Sequence, residues 1–464
     1  MIEIYNSLTN QKEPFIPIKE GEVKIYSCGP TVYNYFHIGN ARPFIFFDVV
    51  RRYFKYAGYH VIFIQNFTDV DDKIIKKAAE EGKEPQEIAD QYIQEYFTDA
   101  DALGIGRADM YPRVSENIDT ILSLIQTLVD KGMAYEKDGN VYYRVRTFAS
   151  YGKLSKRDIE ELEVGARVEI SEEKEDPLDF ALWKKKKEGE IYWDSPFGQG
   201  RPGWHIECSA MAQKYLGEQI DIHGGGADLI FPHHENEIAQ SEGATGKQFA
   251  KYWMHNGYIN INNEKMSKSL GNFFTVRDIA KEFDLETVRF FILNAHYRSP
   301  INFSRELVES AASSLQRIYN AKNNLDYLLK QDTSDKEASQ QISEQLEQYK
   351  TQFCAAMDND FNTADAIAAI FELVRFINTN IDENSTHEDI KAAKAMLEEL
   401  TGVLNIAQHS QEELLDEDIE ALIAQRQEAR KNKDFALADK IRDDLKEKGI
   451  LLEDTKEGVK WKKN

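Results

Sequence analysis

The chain has 464 residues, 42% hydrophobic and 30% charged, and no apolar run approaches the ~18 residues needed to span a membrane, which excludes a helical membrane protein. Its 57 basic against 80 acidic side chains leave a formal charge of −23. A basic surface over the whole molecule, the usual footprint of a nucleic-acid partner, is therefore excluded, and any such footprint must be local. Length alone points to roughly three domains with ample core in each. Cys28, Cys208 and Cys354 are too few and too scattered for a disulfide framework. The opening Met1-Ile2-Glu3-Ile4 lacks the basic-then-apolar pattern of a signal peptide, so a reducing, cytoplasmic setting is expected.

Taken in order, Lys24–Cys28 reads as a short buried strand, broken by Gly29-Pro30. After a turn carrying His37, Gly39 and Asn40, the apolar spacing from Phe44 to Tyr56 predicts a helix. Strand, glycine-bearing turn and helix open a nucleotide-binding α/β domain, where ligands collect beyond the strand carboxyl ends and anions meet a helix N-terminus. His37 and Asn40 would place donors there, and Gly39 would let a flat base lie close to the backbone. His60–Gln65 predicts a second buried strand. The polar run Asn66 to Asp72 follows at its end. Thr68 and the aspartates are site residues or caps, and for Asp71 and Asp72 the charged helical pattern from Lys73 favours the cap. That helical pattern is expected to persist through Tyr111-Pro112-Arg113. A strand pair between Met133 and Arg146 then turns at Lys137-Asp138-Gly139-Asn140.

Residues 152–203 are charge-rich and punctuated by glycine, as in an insertion, and Lys184 to Lys187 read as a solvated face. A helix opens at Gly203-Trp204-His205, with Trp204 expected in the core. The run Asp221 to Glu237 joins a strand-like segment, three glycines and a polar helix start. Pro232 suits a first turn, so a helix is expected from about His233, with His233 and Glu237 on one face. An imidazole and a carboxylate one turn apart can hold half of a zinc site if two more ligands arrive from elsewhere. Tyr258–Ile261 predicts a strand, and the loop Lys265-Met266-Ser267-Lys268-Ser269 beyond it suits a clamp on phosphates or, equally, a plain surface loop. From Thr275 the pattern is helical: 275–283, 285–295, 304–329, 344–358, 362–378 and 387–401, with Cys354 a small core residue and short loops that argue for an antiparallel bundle. Past a linker near His409 come helices at 418–431 and 435–448, then a strand pair at 451–453 and 459–461 in which Trp461 packs on its own module rather than on a base.

Three familiar patterns fail. His234-Glu235-Asn236-Glu237-Ile238 lacks the second histidine of a zinc-protease helix, Gly243 to Gln248 is too short for a Walker loop, and no dinucleotide glycine fingerprint follows the first strand. What remains is His37-Ile38-Gly39-Asn40 and, downstream, Lys265 to Ser269. In that order, on strand ends of an α/β pattern with a helical bundle behind, they resemble the two signature motifs of the class I aminoacyl-tRNA synthetases. The stretches Ser27-Cys28-Gly29-Pro30-Thr31-Val32-Tyr33-Asn34 and Gly203-Trp204-His205-Ile206-Glu207-Cys208 are most similar to members of that family that act on cysteine, along almost the whole chain.

The resemblance implies an α/β fold: a Rossmann-like parallel-sheet catalytic domain over 1–303, with an insertion at about 112–202 and a stem-contact region at about 255–303. A helical bundle over 304–408 would bind the anticodon stem, and a small mixed α/β module over 409–464 would recognise the anticodon. It also implies ATP-dependent ligation of L-cysteine to the 3′ end of tRNA(Cys) through a cysteinyl-adenylate, with Mg2+ accompanying ATP. One zinc ion would sit on Cys28, Cys208, His233 and Glu237, with Glu237 the weakest ligand; the residues by themselves neither choose His233 over His234 nor bring the two cysteines together. Zinc would separate cysteine from serine by softness and thiol acidity, without an editing domain. His37 and Asn40 would donate to the phosphates, Asn40 standing where a histidine is commoner. Gly39, Gly225 and Asp228 would lie along ATP, Lys265 and Lys268 would neutralise developing charge, and Cys28, Thr68, Trp204 and His223 would line the amino-acid pocket. A monomer is expected. Two other readings stand beside this one. A ligase passing cysteine to a small acceptor would have no use for the C-terminal third, and a non-catalytic RNA-binding module with a structural zinc would have no need of the lysines in 265–269.

Overall fold

Strands buried on both faces along most of their length belong in a covered parallel sheet, and four of the described strands form one. The computed structural model describes residues 1–158, 174–262, 264–265, 274–331, 339–408, 411–431, 434–447, 450–455 and 458–463. A hairpin of β1 (Glu3–Asn6) and β2 (Gln11–Pro14) leads into β3 (Glu22–Ser27), α1 (Ile38–Tyr56) and β4 (His60–Gln65). Helices α2 (Asp72–Glu81), α3 (Pro85–Ala102) and α4 (Ile118–Asp130) follow. A separate antiparallel sheet comes next, made by β5 (Ala134–Lys137), β6 (Asn140–Tyr143), β7 (Phe180–Lys185) and β8 (Gly200–Pro202). Then α5 (Trp204–Leu216), β9 (Ile220–Gly226), α6 (Glu235–Thr245) and β10 (Ala250–Asn256) complete the central sheet, whose order is β10-β9-β3-β4 with every pair parallel. The chain leaves β3 toward β4 on one side and later returns to β9 on the other. The crevice at the carboxyl ends of β3 and β9 is therefore a topological switch point, where such sheets bind ligands.

Beyond the sheet, β11 (Ile259–Ile261), β12 (Glu264–Lys265) and, after α7 (Val276–Ile279) and α8 (Leu285–Leu293), β13 (Ile301–Phe303) form a small sheet of order β12-β11-β13. Four longer helices follow: α9 (Arg305–Leu329), α10 (Gln340–Asp358), α11 (Thr363–Asn380) and α12 (His387–Leu404). Residues Met1–Ala407 form one compact unit and Gln408–Asn464 a second. The second unit contains α13 (Gln411–Lys431), α14 (Phe435–Glu447) and the hairpin of β14 (Ile450–Thr455) and β15 (Gly458–Lys463), around its own core of Ile419, Ile423, Ile441, Leu445 and Ile450.

Several local expectations are corrected. Helix α1 starts at Ile38, six residues before Phe44, because His37 caps it and Pro43, so near the N-terminus, removes only one early hydrogen bond. The helical run toward Arg113 stops at Ala102. Residues 109–112 instead satisfy the open edge of β4: Gln65 N donates to Met110 O at 3.2 Å, and Phe67 N to Pro112 O at 2.9 Å. The helix expected from His233 starts at Glu235, because extended Phe231 interrupts a wide turn over Ile230–His234. Helix α7 is four residues rather than nine. Trp204, expected in the core, is 39% exposed. Asp71 does cap α2, accepting from Lys73 N at 2.9 Å, whereas Asp72 pairs with Lys184 and Arg201 of the separate sheet.

Gly29, next to Cys28, shows how closely the strand ends approach. A Cβ there would lie 1.6 Å from the carbonyl oxygen of Asn66. Gly29→Ala should therefore cost roughly 1–3 kcal/mol or more in urea unfolding. Gly402→Ala, which meets nothing within 4 Å, is the control and should be neutral or stabilising by roughly 0.5–1 kcal/mol. Equal midpoints for the two variants would show that the close approach is not rigid.

Candidate functional site

The carboxyl ends of the sheet gather the chemistry. Cys28 follows β3, its N–H held by Gly224 O at 3.2 Å. Cys208 lies on α5, His233 in the wide turn and Glu237 in the first turn of α6; all four are buried. Their ligand atoms lie within 4.8 Å of one another, and so do those of a second set, Cys28, His223, His234 and Glu237. The two sets share Cys28 and Glu237. In the first, the two Sγ atoms are 3.7 Å apart, Cys28 Sγ is 3.5 Å from Glu237 Oε1, and that oxygen is 3.0 Å from His233 Nε2. Tetrahedral zinc with ordinary bond lengths has edges of about 3.8 Å between sulfurs, about 3.5 Å between sulfur and oxygen and about 3.3 Å between nitrogen and oxygen. In the second set Cys28 Sγ is 3.4 Å from His234 Nε2, but His234 Nε2 is 4.0 Å from Glu237 Oε1. Two thiols, an imidazole and a carboxylate at these spacings fit zinc.

A further shell orients these groups. His223 Nε2 meets Glu237 Oε2 at 2.8 Å, and its ring stacks on Trp253 at 4.5 Å between centroids. His205 Nδ1 is 3.0 Å from His233 Nδ1; His234 Nδ1 is 2.8 Å from His255 Nε2, and His255 Nδ1 is 2.8 Å from Ser7 Oγ. Such outer partners fix which nitrogen of an imidazole remains available. Burial opposes ionisation of Glu237, yet His223 and His233 outweigh it and hold the carboxyl at about 2. Burial likewise opposes a charge on His233, and Glu237 with Cys208 overcomes it, holding the imidazole at about 10. The hydrogen bond from Cys28 draws the Cys208 thiol down, while burial and its sister thiol push Cys28 up. Burial keeps His205 and His255 low, at about 3 each.

Of the expected pocket residues, His223 belongs to this cluster, and Trp204 sets its ring 4.4 Å from that of His233 at a half-open mouth. Thr68 donates to Glu207 Oε2 at 3.1 Å and receives Asn66 Nδ2 at 3.4 Å. His37 caps α1: its Nδ1 accepts from Asn40 N at 3.3 Å, so in the neutral ring the proton sits on Nε2, a donor. Gly39 and Asn40 are in the first turn, whose dipole favours an anion. The backbone joins this turn to the far side of the second motif, with Ile38 N donating to Phe274 O at 3.2 Å and Val276 N to Phe36 O at 3.0 Å. Gly225 lies on β9 beside the cluster, since a Cβ there would be 3.4 Å from His234 Cε1; Asp228 is exposed in the turn that follows. Lys265 is described only as backbone, in β12, and Lys268 lies outside the described residues.

The sequence reading passed over Asn66, His255 and Glu207. Asn66 and His255 carried a usable signal, being polar groups at the carboxyl ends of apolar strands. Glu207 carried none, because only folding shows that this flank of α5 is buried.

A central parallel sheet with cysteine, histidine and carboxylate at its switch point meets three matching family models. They are the class I (C) tRNA synthetase catalytic domain over residues 14–313, the DALR domain over 352–408 and the cysteinyl-tRNA ligase anticodon binding domain over 412–461. The fold also resembles Mycobacterium tuberculosis methionyl-tRNA synthetase in complex with methionyl-adenylate: TM-score 0.60 at 16% identity, covering 83% of this chain and 90% of that one. The leucyl enzyme of Agrobacterium radiobacter K84 gives 0.59 at 12% identity, covering 85% and 86%. Fold and site thus define a class I aminoacyl-tRNA synthetase. The cysteine–tRNA ligase of Clostridioides difficile (strain 630) is 58% identical over 466 residues, covering 100% of both chains. That of Anoxybacillus flavithermus is 59% identical over 463 residues, covering 100% of this chain and 99% of its own. The chain belongs to the cysteine–tRNA ligase family.

Proposed function

We propose that the chain activates L-cysteine with ATP and transfers it to the 3′ end of tRNA(Cys), with Cys28, Cys208, His233 and Glu237 as the metal ligands. The observation that carries this reading is the pair of thiols 3.7 Å apart beside Glu237 and His233, at the switch point of the sheet. Zinc bound there supplies a soft site for a thiolate, which a serine hydroxyl cannot match. The first set is preferred because His223 then remains a donor to Glu237 Oε2 and no thiol beside the ion is left unused.

The cysteine carboxylate oxygen attacks the α-phosphorus of ATP, and pyrophosphate leaves. A ribose hydroxyl at the tRNA 3′ end then attacks the adenylate carbonyl, and AMP leaves. His37 through Nε2–H and Asn40 through its amide donate to the phosphates above the α1 N-terminus, with Gly39 admitting the nucleotide. Lys265 and Lys268 neutralise charge on the phosphates, and Gly225 and Asp228 lie toward the adenosine. Thr68, Trp204 and His223 position the amino acid. Mg2+ enters with ATP. Residues 1–303 form the catalytic domain, 304–408 hold the anticodon stem and 409–464 read the anticodon. The protein acts as a monomer in the cytoplasm; among the described residues no helix is long and apolar enough to cross a membrane.

The test is ATP–pyrophosphate exchange with cysteine against serine, followed by charging of tRNA(Cys) against small amines. Exchange should favour cysteine by about a thousandfold or more, beyond what a plain hydrophobic pocket achieves, and the cysteinyl group should pass to tRNA alone. Equal exchange with serine removes the thiolate argument, and transfer to a small amine removes the tRNA acceptor.

A further inference from the structure

Behind Thr68 lies a chain of hydrogen bonds whose direction can be deduced. Gly29 N–H can only donate, and it meets Asn66 Oδ1 at 3.0 Å, which fixes the orientation of that amide. Asn66 Nδ2 therefore faces Thr68 Oγ1, at 3.4 Å, as a donor. A hydroxyl that accepts from Asn66 has one hydrogen to give, and Glu207 Oε2 lies 3.1 Å away to receive it. Thr68 is the donor with Glu207 ionised or protonated on Oε1, and only a proton on Oε2 would reverse the bond. The backbone of Thr68 cannot shift to escape it: Thr68 N donates to Pro30 O at 3.2 Å, and Val32 N to Thr68 O at 3.1 Å. Asn66, Thr68 and Glu207 are all buried, and Glu207 Oε1 has no partner among the described residues. The chain of bonds also touches the metal cluster, since Cys208 Sγ is 3.7 Å from Asn66 Oδ1 and Glu207 is its neighbour in sequence.

We propose that Glu207 is a positioning residue for amino-acid recognition: by taking the single hydroxyl hydrogen of Thr68, it leaves Thr68 Oγ1 with only lone-pair capacity, an acceptor for the α-ammonium group of the substrate. The inference rests on the cysteine-activation reading above and deepens it. A hydroxyl free to rotate serves a carboxylate as readily as an ammonium, so it does not set which end of an amino acid comes near. One locked as an acceptor does. In a cysteine held by its sulfur at the cluster, the ammonium is three bonds from that sulfur, so the polarity of Thr68 selects the way the backbone of the substrate is presented.

The test compares L-cysteine with 3-mercaptopropionate, which keeps the thiol and carboxylate and lacks the amine. In pyrophosphate exchange, Glu207→Leu should raise KM for cysteine about tenfold or more, the effect of an acceptor lost from a buried site. The KM for ATP and the zinc content should not change, and neither should inhibition by 3-mercaptopropionate. Glu207→Gln keeps an acceptor oxygen and should restore cysteine binding to within about threefold. Thr68→Val, near-isosteric, should show the same defect confined to cysteine, and adding Glu207→Leu to it should cost nothing further; this pair decides the matter if the leucine variant alone does not fold. An unchanged cysteine KM in Glu207→Leu and Thr68→Val overturns the proposal, as does an equal loss for 3-mercaptopropionate. Wild-type protein with no cysteine-dependent exchange sinks the activation reading itself, whereas active wild type beside an indistinguishable Glu207→Leu sinks only this inference.

Discussion

Cys208→Ala and His233→Asn should each lose bound zinc and with it at least about a hundredfold of cysteine-dependent exchange, since a three-ligand remnant no longer closes the site. His234→Asn should keep its metal. The two candidate sets share Cys28 and Glu237, so only the other members distinguish them. Geometry favours the first set: its 3.7, 3.5 and 3.0 Å edges suit a tetrahedron, whereas the 4.0 Å from His234 Nε2 to Glu237 Oε1 exceeds the tetrahedral edge of about 3.3 Å. The Cys208 thiol is drawn down beside Cys28, toward the thiolate that binds zinc. Burial and the imidazoles around it keep His234 neutral, which is also the ligating form, so distance and not protonation separates the two histidines. As an outer-shell group, His234 should cost about 10–100-fold in metal affinity when replaced, which stoichiometric zinc at micromolar protein would survive. Metal analysis of the three purified variants decides it. Zinc retained in Cys208→Ala and lost in His234→Asn would assign the second set.

How far this arrangement was legible in the sequence depended on how local its causes were. The strands Lys24–Cys28 and His60–Gln65, the cap at Asp71, the hairpin turning at Asp138-Gly139 and the two-helix, two-strand tail follow from patterns within a few residues, and all are present. What escaped was set by distant neighbours. Residues 103–113 leave the helical pattern because β4 has an open edge to satisfy. Trp204 has the composition of a core residue but lies over His233, a partner 29 positions away, at a mouth half open to solvent. His233 and His234 are adjacent and chemically identical, and only the approach of Glu237 Oε1 to one of them, 3.0 against 4.0 Å, separates them.

Asp48→Asn should destabilise the first unit by about 3–5 kcal/mol at neutral pH, the cost of leaving a buried guanidinium without its counter-charge. Asp48 is 1% exposed. Its Oδ1 accepts from Arg51 Nη2 at 2.7 Å and Gly106 N at 3.0 Å, and its Oδ2 from Arg52 Nε at 2.9 Å and Arg289 Nη2 at 2.8 Å. Arg289, fully buried on α8, also donates to Leu404 O at 2.9 Å and Gly104 O at 3.0 Å. One carboxylate thus ties α1, the loop after α3, α8 and the end of α12, joining the sheet that carries the site to the last helix of the unit. Burial alone would raise this carboxyl, but Arg289, Arg52 and Arg51 outweigh burial and hold it below the ordinary aspartate range. A depressed folded value contributes stability that is complete above the unfolded value of about 3.9 and is lost as pH falls through the lower folded value. The gap between wild type and Asp48→Asn in urea midpoint should therefore be widest near pH 7 and narrow once the pH drops below about 3.9. A gap that stays constant across that range would mean that shape and hydrogen bonding, rather than the charge of Asp48, hold the four elements together.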